Sequence, residues 1–526
     1  MQFIIPMAGS GTRFLKKGFN TPKPFIKAGS KTFIEGVVNQ FTKLEDVLFI
    51  CNQKHLSKKI PNYTKKLKTI KKSSKILSIK PHKLGPVETL LKAENHVDKT
   101  KPVIISYCDC ISIFDEAKFY SFLKKNKEVD GIIFYYSGFH PHLRRNQDHA
   151  YIKFKKEMVI DIREKQSFTS NPLNEPASSG VYYFSSGEKL ISACKKIVEK
   201  KMHVKNEFFV SMLYKILIED FNPVKGYKID HFLNLGTPED LQDFTKWEKA
   251  FRNFYFMDKA NNLRLNSNLL MPAAGKGERF SKKGYKLSKP LIDISGQKMF
   301  QMALKCFPEA ESQTVILKEE LCKKIHIKKN PSINFMSINK FTKGQAETCL
   351  KGINKQNNFK PITILSCDMG IMLKNEQIKI LNKKDTADIH VFVSKTDLSS
   401  TLNHKQFSWI SLRNNKSINQ VIIKPSIKPS NYNHYLLGAF QFKSASLYKN
   451  LFNLMRDKNY TTNGEFYIDN MIKLAIENKI RCEPVVVEHF FNWGTPIELD
   501  TYNYWEKCFN IWALHEFKFK YHDKIK

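Results

Sequence analysis

The chain has 526 residues and a formal net charge of +36, from 86 Lys and Arg against 50 Asp and Glu. The length predicts at least two domains, and a hydrophobic content of 42% excludes a chain too polar to form cores. The positive charge is spread along the whole sequence without an arginine-rich block, so we interpret it as a solvated lysine surface that favours small anionic substrates and not as a nucleic-acid site.

The first predicted element is a strand from Met1 to Met7, and a glycine-rich turn follows it directly. Glycines allow backbone N–H groups to approach a phosphate closely, so the turn favours phosphate binding. The turn lacks the third glycine of a dinucleotide-binding loop and the Lys-Ser/Thr of a P-loop. The residues that we assign to nucleotide binding here are Ala8, Gly9, Gly11 and Thr12.

The apolar amino-terminal segment lacks a basic leader and a long apolar core, which argues against a signal peptide. No stretch approaches the roughly 20 apolar residues of a membrane-spanning helix, so we expect no membrane insertion. Ten scattered cysteines without metal-binding spacing are interpreted as reduced thiols of a cytoplasmic protein.

The following elements alternate between strands and helices. A Lys-Pro pair at Lys23 comes next, then a helical pattern from Phe33 to Phe41 and an apolar strand from Val103 to Ser106 that leads to Asp109. Buried strands alternating with helices are typical of parallel βαβ units. Later landmarks of the same half are Glu164-Lys165, Ser179-Gly180, Glu207, Asn234-x-Gly-Thr-Pro and a helix around Trp247.

Nearly every landmark returns in the second half of the chain. Gly9 and Gly275 are 266 residues apart, Asp109 and Asp368 are 259 apart, and Glu207 and Glu465 are 258 apart. Such ordered matches indicate an internal duplication. We predict a first domain over residues 1–257, a linker over 258–266 and a second domain over 267–526. The repeated landmarks assigned to sites are Ala274, Gly275, Gly277, Arg279, Lys289, Asp368, Lys424, Glu465 and Asn492.

The motif Gly-x-Gly-x-Arg-Phe followed ten residues after the arginine by Lys-Pro, present twice, resembles the signature of the sugar-phosphate nucleotidyltransferases, the NDP-sugar pyrophosphorylases. The resemblance implies an α/β fold of two tandem Rossmann-like domains, each a mostly parallel mixed sheet flanked by helices. It implies transfer of a nucleoside monophosphate from a nucleoside triphosphate to a phosphorylated acceptor, foremost a sugar 1-phosphate, as in nucleotide-sugar synthesis for surface polysaccharide or capsule.

The resemblance also implies residue roles. The catalytic cations are Arg13 and Lys23 in the first repeat, with Arg279 and Lys289 in the second. Mg²⁺ is expected at Asp109 and Asp368, where the family commonly adds a second carboxylate that this chain replaces with Asn234 and Asn492. Gly85 and Gln345 lie in the stretches expected to border the base. The residues expected to bind the acceptor are Glu164, Lys165, Gly180, Glu207, Lys424 and Glu465.

The two repeats are not equivalent. Ile423 stands where the first repeat has Glu164, and Glu278 places a negative charge where the first loop has Thr12. The second repeat is therefore interpreted either as a site of different specificity or as one that only binds nucleotide.

Two further alternatives stay open from the sequence. One is a cytidylyltransferase that acts on a non-sugar phosphate such as phosphocholine, and another is a glycosyltransferase of related fold. The sequence does not reveal whether the chain forms a homo-oligomer.

Overall fold

The structure is a computed structural model. It describes residues 1–57, 62–145, 148–260, 263–324, 332–355, 357–384, 386–413, 417–427, 429–430 and 432–511. The chain forms two compact units. The first comprises Met1–Glu248 and a segment that begins at Asn503, and the second comprises Lys249–Tyr502.

The first unit is built around a nine-stranded sheet with small additional strand pairs. Its strands, in chain order, are β1 Gln2–Met7, β2 Lys27–Ala28, β3 Lys31–Thr32, β4 Asp46–Asn52, β5 Lys75–Ile79, β6 Val103–Ser106, β7 Cys110–Ile113, β8 Gly131–Tyr136, β9 Ala150–Lys155, β10 Met158–Glu164, β11 Ala177–Phe184, β12 Val224–Lys228 and β13 His231–Asn234.

The helices that begin in the first repeat flank this sheet. They are α1 Thr12–Leu15, α2 Phe33–Val38, α3 Gln53–Leu56, α4 Tyr63–Ile70, α5 Pro86–Leu91, α6 Glu116–Lys125, α7 Gly187–Glu199, α8 Leu213–Glu219 and α9 Pro238–Ala260.

The strand order of the large sheet is β5-β4-β1-β6-β11-β8-β12-β10-β9. The strands from β5 to β6 run parallel, whereas β11 pairs antiparallel with both β6 and β8. All six residues of β1 are buried, and so are all four of β6, as expected for strands covered on both faces by helices. The carboxyl ends of β1 and β6 therefore lie side by side, and the glycine loop and Asp109 follow them.

The second unit repeats this plan. Its strands are β14 Leu265–Pro272, β15 Asp293–Ile294, β16 Gln297–Lys298, β17 Ala310–Lys318, β18 Ile333–Ile338, β19 Ile362–Leu365, β20 Met369–Met372, β21 Ile389–Lys395, β22 Trp409–Arg413, β23 Ser417–Ile422, β24 His434–Phe442, β25 Cys482–Val486 and β26 His489–Asn492.

The remaining helices begin in the second repeat. They are α10 Glu278–Ser281, α11 Met299–Cys306, α12 Glu319–Lys324, α13 Gln345–Ile353, α14 Asn375–Asn382, α15 Leu398–Leu402, α16 Ala445–Asp457, α17 Ile468–Glu477 and α18 Pro496–Ile511. The sheet order β18-β17-β14-β19-β24-β21-β25 matches the first unit strand for strand as far as β12.

These sheets and helices confirm the predicted α/β fold with two Rossmann-like mixed sheets. The predicted domain limits stay a prediction. The division between the compact units falls at Glu248, inside α9, and α9 continues to Ala260 through the first residues of the predicted linker. Residues 261 and 262 of that linker lie outside the described residues, as does the end of the predicted second domain from residue 512.

The first unit includes the start of its own closing helix and a segment of α18. The Tyr504 hydroxyl donates to the Phe232 carbonyl at 2.5 Å, and the Tyr504 ring lies 4.4 Å from that of His231. The Phe509 ring lies 5.6 Å from that of Phe244. These contacts make the segment from Asn503 part of the core of the first unit. Across the described residues, no helix is long and apolar enough to span a membrane.

Candidate active site

The glycine-rich loop of each unit packs against the lysine of the Lys-Pro pair. Gly11 has a φ of 66°, and a Cβ built on it would lie 3.3 Å from the Cβ of Lys23. Gly277, also at φ 66°, has the same relation to Lys289 at 3.1 Å. A larger residue at either glycine would be strained in its backbone and crowded by the lysine. The two glycines therefore hold the lysine beside the loop.

In the first unit this lysine forms an ion pair with the aspartate that follows β6. The Lys23 ammonium donates to Oδ2 of Asp109. Burial by itself lowers the pKa of Lys23, but the Asp109 carboxylate more than offsets this, so the lysine pKa lies above its ordinary value. Burial likewise acts to raise the pKa of Asp109, and Lys23 and Arg13 reverse the effect, so the pKa of Asp109 is lowered. Both groups are charged at neutral pH.

The second unit has the same ion pair. The Lys289 ammonium donates to Oδ2 of Asp368 and also to the Gly494 carbonyl at 3.2 Å. The Ser366 hydroxyl donates to Oδ1 of Asp368. Burial acts to raise the pKa of Asp368, but Lys289 and Ser366 more than offset it, so the pKa lies below its ordinary value. The charged core of the site is thus conserved between the two units.

Asn234 and Asn492 lie next to these aspartates. A Cβ on Gly236 would lie 3.0 Å from Oδ1 of Asn234 and 3.5 Å from Oδ2 of Asp109. On Gly494 it would lie 3.1 Å from Oδ1 of Asn492 and 3.4 Å from Oδ2 of Asp368. In each unit an amide oxygen and an aspartate oxygen therefore border the same side-chain-free space. In the second unit Oε2 of Glu498, at 3.3 Å from the same Cβ position, borders it as well.

Oxygen donors of this kind suit a hard divalent cation such as Mg²⁺. In the part of the chain that the structure describes, no three His, Cys, Asp or Glu side chains form a metal-binding group. A metal at this place would accordingly be held by Asp109 and Asn234, or by Asp368 and Asn492, with further oxygens supplied by bound phosphates or water.

The orientation of Asn234 is set by a residue that the sequence did not single out. Its Nδ2 donates to Asp240 at 3.1 Å, and its Oδ1 accepts from the Gly236 N–H at 3.1 Å. Asp240 is buried, also accepts from Thr237, and pairs with the Arg145 guanidinium. Because these contacts fix the amide, the Asn234 oxygen faces the glycine.

Two other acidic residues of the second unit form ion pairs with lysines on the surface and not with Lys289. Glu278, which the sequence places beside the second glycine loop, is exposed and lies 3.8 Å from both Lys276 and Lys282. Glu488, four residues before Asn492, pairs with Lys374 on the surface at 2.9 Å. Neither carboxylate is paired with the Lys289–Asp368 group.

The predicted acceptor residues of the first unit form a second cluster. The Ser211 hydroxyl donates to Glu164 at 2.6 Å, and the Lys165 ammonium lies 4.3 Å from the centroid of the Phe209 ring. The pKa of Glu164 is raised to about 6, chiefly by burial. The charge of Glu207 adds to this rise, whereas Ser211 and Lys165 act against it and offset it only in part. The structure thus brings together Glu164, Lys165 and Glu207, with Ser211 and Phe209 as unpredicted members.

Gly180 and Tyr107 connect this cluster to Asp109. A Cβ on Gly180, where φ is 81°, would lie 3.1 Å from the Tyr107 ring and 3.4 Å from the Cβ of Cys110, the residue after Asp109. The Tyr107 hydroxyl accepts from the Val210 N–H at 3.3 Å. Tyr107 therefore fills space between the acceptor cluster and the strand-end aspartate.

Gly85 joins the other side of the cluster. A Cβ on it would lie 2.7 Å from the Phe208 carbonyl oxygen and 3.1 Å from the Cβ of Glu207. In the second unit the residue with this contact is Gly344, against Phe466, and the predicted Gln345 is the next residue, the first of α13.

The acceptor cluster of the second unit has the same lysine over an aromatic ring. The Lys424 ammonium lies 3.5 Å from the centroid of Tyr467. Burial lowers the pKa of Lys424, and the charges of Asp469, Arg279 and Glu465 also act on it. The structure thus brings Lys424, Glu465 and Arg279 together, and adds Tyr467 and Asp469, which the sequence did not indicate.

Comparison with known proteins finds a family model, curated relatives and solved structures that are similar to parts of this chain. Residues 3–248 match the family model described as nucleotidyl transferase. Among curated proteins, the chain is 25% identical over 269 residues to the bifunctional protein GlmU of Methanocaldococcus jannaschii, covering 50% of this chain and 55% of that protein. It is 26% identical over 252 residues to GlmU of Methanococcus aeolicus, covering 46% and 53%. The chain spans about half the length of these relatives.

Solved structures also match. A nucleoside-diphosphate-sugar pyrophosphorylase from Vibrio cholerae aligns with a TM-score of 0.37 and 21% identity, covering 47% of this chain and 100% of that one. The UTP-bound UGPase from Acinetobacter baumannii aligns with a TM-score of 0.36 and 16% identity, covering 46% and 91%.

The family match confirms the resemblance read from the glycine loop and the Lys-Pro pair. That match is confined to residues 3–248, in the first unit.

Proposed function

We propose that both units transfer a nucleoside monophosphate from a nucleoside triphosphate to a phosphorylated acceptor, foremost a sugar 1-phosphate, with release of pyrophosphate. The observation that carries the proposal is the ion pair between the Lys-Pro lysine and the strand-end aspartate, which occurs beside the glycine loop in both units. The family match of residues 3–248 supports it for the first unit.

The transfer requires a phosphate oxygen of the acceptor to attack the α-phosphorus. A new P–O bond forms while the bond to the β-phosphate oxygen breaks, and negative charge collects on the departing pyrophosphate. Such transfer depends on positioning and on fixed positive charge near the phosphates. Lys23 with Arg13, and Lys289 with Arg279, would supply that charge from the glycine-loop side.

We further propose that a divalent cation, Mg²⁺, binds at Asp109 and Asn234 and at Asp368 and Asn492. A bound Mg²⁺ would supply additional positive charge to the phosphates. The support is the pair of oxygens that border the same open space at Gly236 and at Gly494.

The acceptor is proposed to lie over Lys165 and Glu164. The lysine would neutralise the acceptor phosphate, and the carboxylate, whose pKa is about 6, is largely ionised at neutral pH and can accept hydrogen bonds from hydroxyl groups. Gly180 and Glu207 would complete this side. We propose a cytoplasmic role in nucleotide-sugar synthesis for surface polysaccharide.

The direct test is a pyrophosphate-release assay with ATP, CTP, GTP and UTP. The acceptors are glucose 1-phosphate, glucosamine 1-phosphate, mannose 1-phosphate and phosphocholine, each with Mg²⁺. We expect turnover with at least one pair, and turnover with phosphocholine and CTP alone would select the non-sugar cytidylyltransferase. Silence of the folded, magnesium-supplied chain with every pair would contradict the proposal, and transfer from nucleotide sugars without pyrophosphate chemistry would favour a glycosyltransferase.

The substitutions Asp109→Ala and Asp368→Ala assign any turnover to a unit. Loss of all turnover in Asp109→Ala alone would show that the second unit does not catalyse the transfer. Partial loss in each variant would show two working sites.

A further inference from the structure

The acceptor cluster of the first unit depends on one carboxylate that comes from β10. Glu164 precedes Lys165 at the end of that strand and accepts a hydrogen bond from Ser211 at 2.6 Å. Ser211 lies two residues after Phe209, the ring under the Lys165 ammonium. The hydrogen-bonded carboxylate and hydroxyl therefore belong to the same two segments as the lysine and its ring.

The second unit has the same lysine and ring but not the same carboxylate. Lys424 lies over Tyr467, as Lys165 lies over Phe209. Ile423 occupies the position of Glu164, so the strand supplies no charge there. Asp469 lies two residues after Tyr467, which is the position of Ser211 in the first unit. The carboxylate and the non-acidic residue have exchanged places.

A hydrogen bond to Ser408 and the position of Asp469 two residues after the Tyr467 ring place its carboxylate in the same cluster as Lys424. Oδ2 of Asp469 accepts a hydrogen bond from the buried hydroxyl of Ser408, which precedes β22. The charge of Asp469 acts on Lys424 and on the phenol of Tyr467, and Glu465 and Arg279 act on both as well. Burial raises the pKa of Asp469, and Ser408 and Lys424 act against that rise. A half-buried carboxylate of this kind is costly unless it is matched by cations and donors.

We propose that Asp469 is the acceptor-binding carboxylate of the second unit and takes the place of the glutamate that is missing at Ile423. This inference rests on the proposed function of the second unit. Asp469 accepts hydrogen bonds from hydroxyl groups of a phosphorylated sugar or polyol while Lys424 neutralises its phosphate. Because the carboxylate enters from the start of α17 and not from a strand end, it contacts a different part of the acceptor than Glu164 does.

Two neighbouring differences point in the same direction. Tyr467 carries a hydroxyl that Phe209 lacks, and it is hydrogen-bonded to Glu465. Ser366 stands at the position of Tyr107, since the backbone N–H of each donates to the corresponding glycine carbonyl at 3.1 Å, Gly438 and Gly180. The second unit thus presents a smaller side chain at the position of Tyr107, which fits a larger acceptor than that of the first unit.

The test isolates the second unit in the full-length chain that carries Asp109→Ala. In that background, Asp469→Asn is compared with the unsubstituted position, using the best acceptor found among the three sugar 1-phosphates above. We expect the KM for the acceptor to rise at least about tenfold, while the KM for the nucleoside triphosphate changes less than about twofold. The matched control is Asp457→Asn, at an exposed aspartate of α16, which should change neither constant.

A rescue separates binding from folding. Asp469→Ser combined with Ile423→Glu rebuilds the arrangement of the first unit and should recover most of the lost acceptor affinity, whereas Asp469→Ser alone should not. Asp469→Glu, which keeps the charge, should fold and alter the order of preference among the sugar 1-phosphates.

The outcomes distinguish this inference from the proposed function. An unchanged acceptor KM in Asp469→Asn, or no recovery in the double substitution, overturns the role of Asp469 and leaves nucleotidyl transfer intact. Turnover by the unsubstituted chain with none by Asp109→Ala also overturns it. Silence of the unsubstituted chain with every substrate pair overturns the proposed function and this inference together.

Discussion

The two units build the nucleotide side of their sites alike and the acceptor side differently. Lys23–Asp109 and Lys289–Asp368 are the same ion pair, with the same packing on a glycine and the same neighbouring asparagine. The second pair has two further partners, Ser366 and the Gly494 carbonyl. Every nucleoside triphosphate presents the same phosphates, so this part of a duplicated site has little freedom to change.

The acceptor side shows the opposite pattern. Tyr107 corresponds to Ser366, Phe209 to Tyr467, and the carboxylate of Glu164 to that of Asp469 on another element. The lysine is retained, which is consistent with an acceptor that carries a phosphate in both cases. Under the proposed function, duplication here preserved a reaction and allowed its acceptor to change.

The largest effect is expected when the first unit is made without the segment from Asn503, which tests whether this unit is stable on its own. A fragment of residues 1–257 lacks Tyr504 and Phe509, which pack on Phe232 and Phe244. Loss of two large buried rings should lower the free energy of unfolding by at least about 5 kcal/mol relative to the first unit in the intact chain. Denaturant unfolding of the fragment and the intact chain measures this.

The control for the fragment is Tyr504→Phe in the intact chain, which removes only the hydrogen bond to Phe232 and should cost about 1 kcal/mol. A fragment that unfolds cooperatively at the same denaturant concentration as the first unit of the intact chain would show that the segment from Asn503 is dispensable, in agreement with the sequence-derived limit at residue 257.

The second prediction concerns the feature that the units share. Lys23→Ala should reduce the pyrophosphate release assigned to the first unit by about 100-fold to 1000-fold, because it removes a fixed charge near the phosphates. Lys289→Ala should do the same for the second unit. Steady-state kinetics in the Asp368→Ala and Asp109→Ala backgrounds, respectively, measures each effect.

Lys118→Ala is the control for both lysines, since the Lys118 side chain is 80% exposed on α6 and should leave the rate unchanged. If either Lys-Pro lysine could be removed with less than a threefold loss, the equivalence of the two nucleotide sides would have to be abandoned.

The third prediction sharpens the difference between the acceptor sides. Tyr107→Ser should lower the acceptor KM of the first unit for bulkier sugar phosphates, and Ser366→Tyr should raise that of the second, each by about tenfold. The KM for the nucleoside triphosphate is the internal control and should stay constant. Changes of the same sign in both units would mean that this position does not determine acceptor size.

The smallest effect is a pH dependence confined to the first unit. The pKa of Glu164 is raised from 4.5 to about 6 by burial, so the folded state favours the protonated carboxyl. Its stabilising contribution is complete below pH 4.5 and is lost as the pH rises through 6. Glu164→Gln, which stays neutral, should therefore be more stable than the unsubstituted chain above pH 6, by about 2 kcal/mol, and equally stable at pH 4.

Thermal or denaturant unfolding at pH 4, 6 and 8 measures this effect. Glu157→Gln, at a side chain that is 86% exposed, is the control and should show no such trend. The quantity to compare is the free energy of unfolding of Glu164→Gln minus that of the unsubstituted chain. If this difference were smaller at pH 8 than at pH 4, the raised pKa of Glu164 would be refuted.

The sequence predicted the fold and indicated the residues that meet at the glycine loop, because both depend on local pattern. Buried strands with acidic ends place Asp109 beside the glycine loop in any parallel sheet of this order, and the repeated Lys-Pro marked Lys23. The assignment of these residues to catalysis and metal binding stays a prediction.

The acceptor side could be predicted only in part. The pairing of Glu164 with Ser211 joins residues 47 positions apart, and the role of Asp469 appears only when its position relative to the Tyr467 ring is known. No motif marks Tyr107 or Asp240, since their contacts arise from packing and not from a local pattern. Internal repetition likewise shows that there are two copies of the domain. It does not show to which of the two cores the residues of each closing helix belong.

The segment of α18 in the first unit has a consequence for synthesis of the chain. Tyr504 and its partner Phe232 are separated by 272 residues. On the ribosome, the first half of the protein emerges long before this tyrosine exists, and domains otherwise fold as they appear. The amino-terminal core must therefore stay incompletely covered until the segment from Asn503 has been made, so a product that stops before Asn503 would leave the first unit without these contacts.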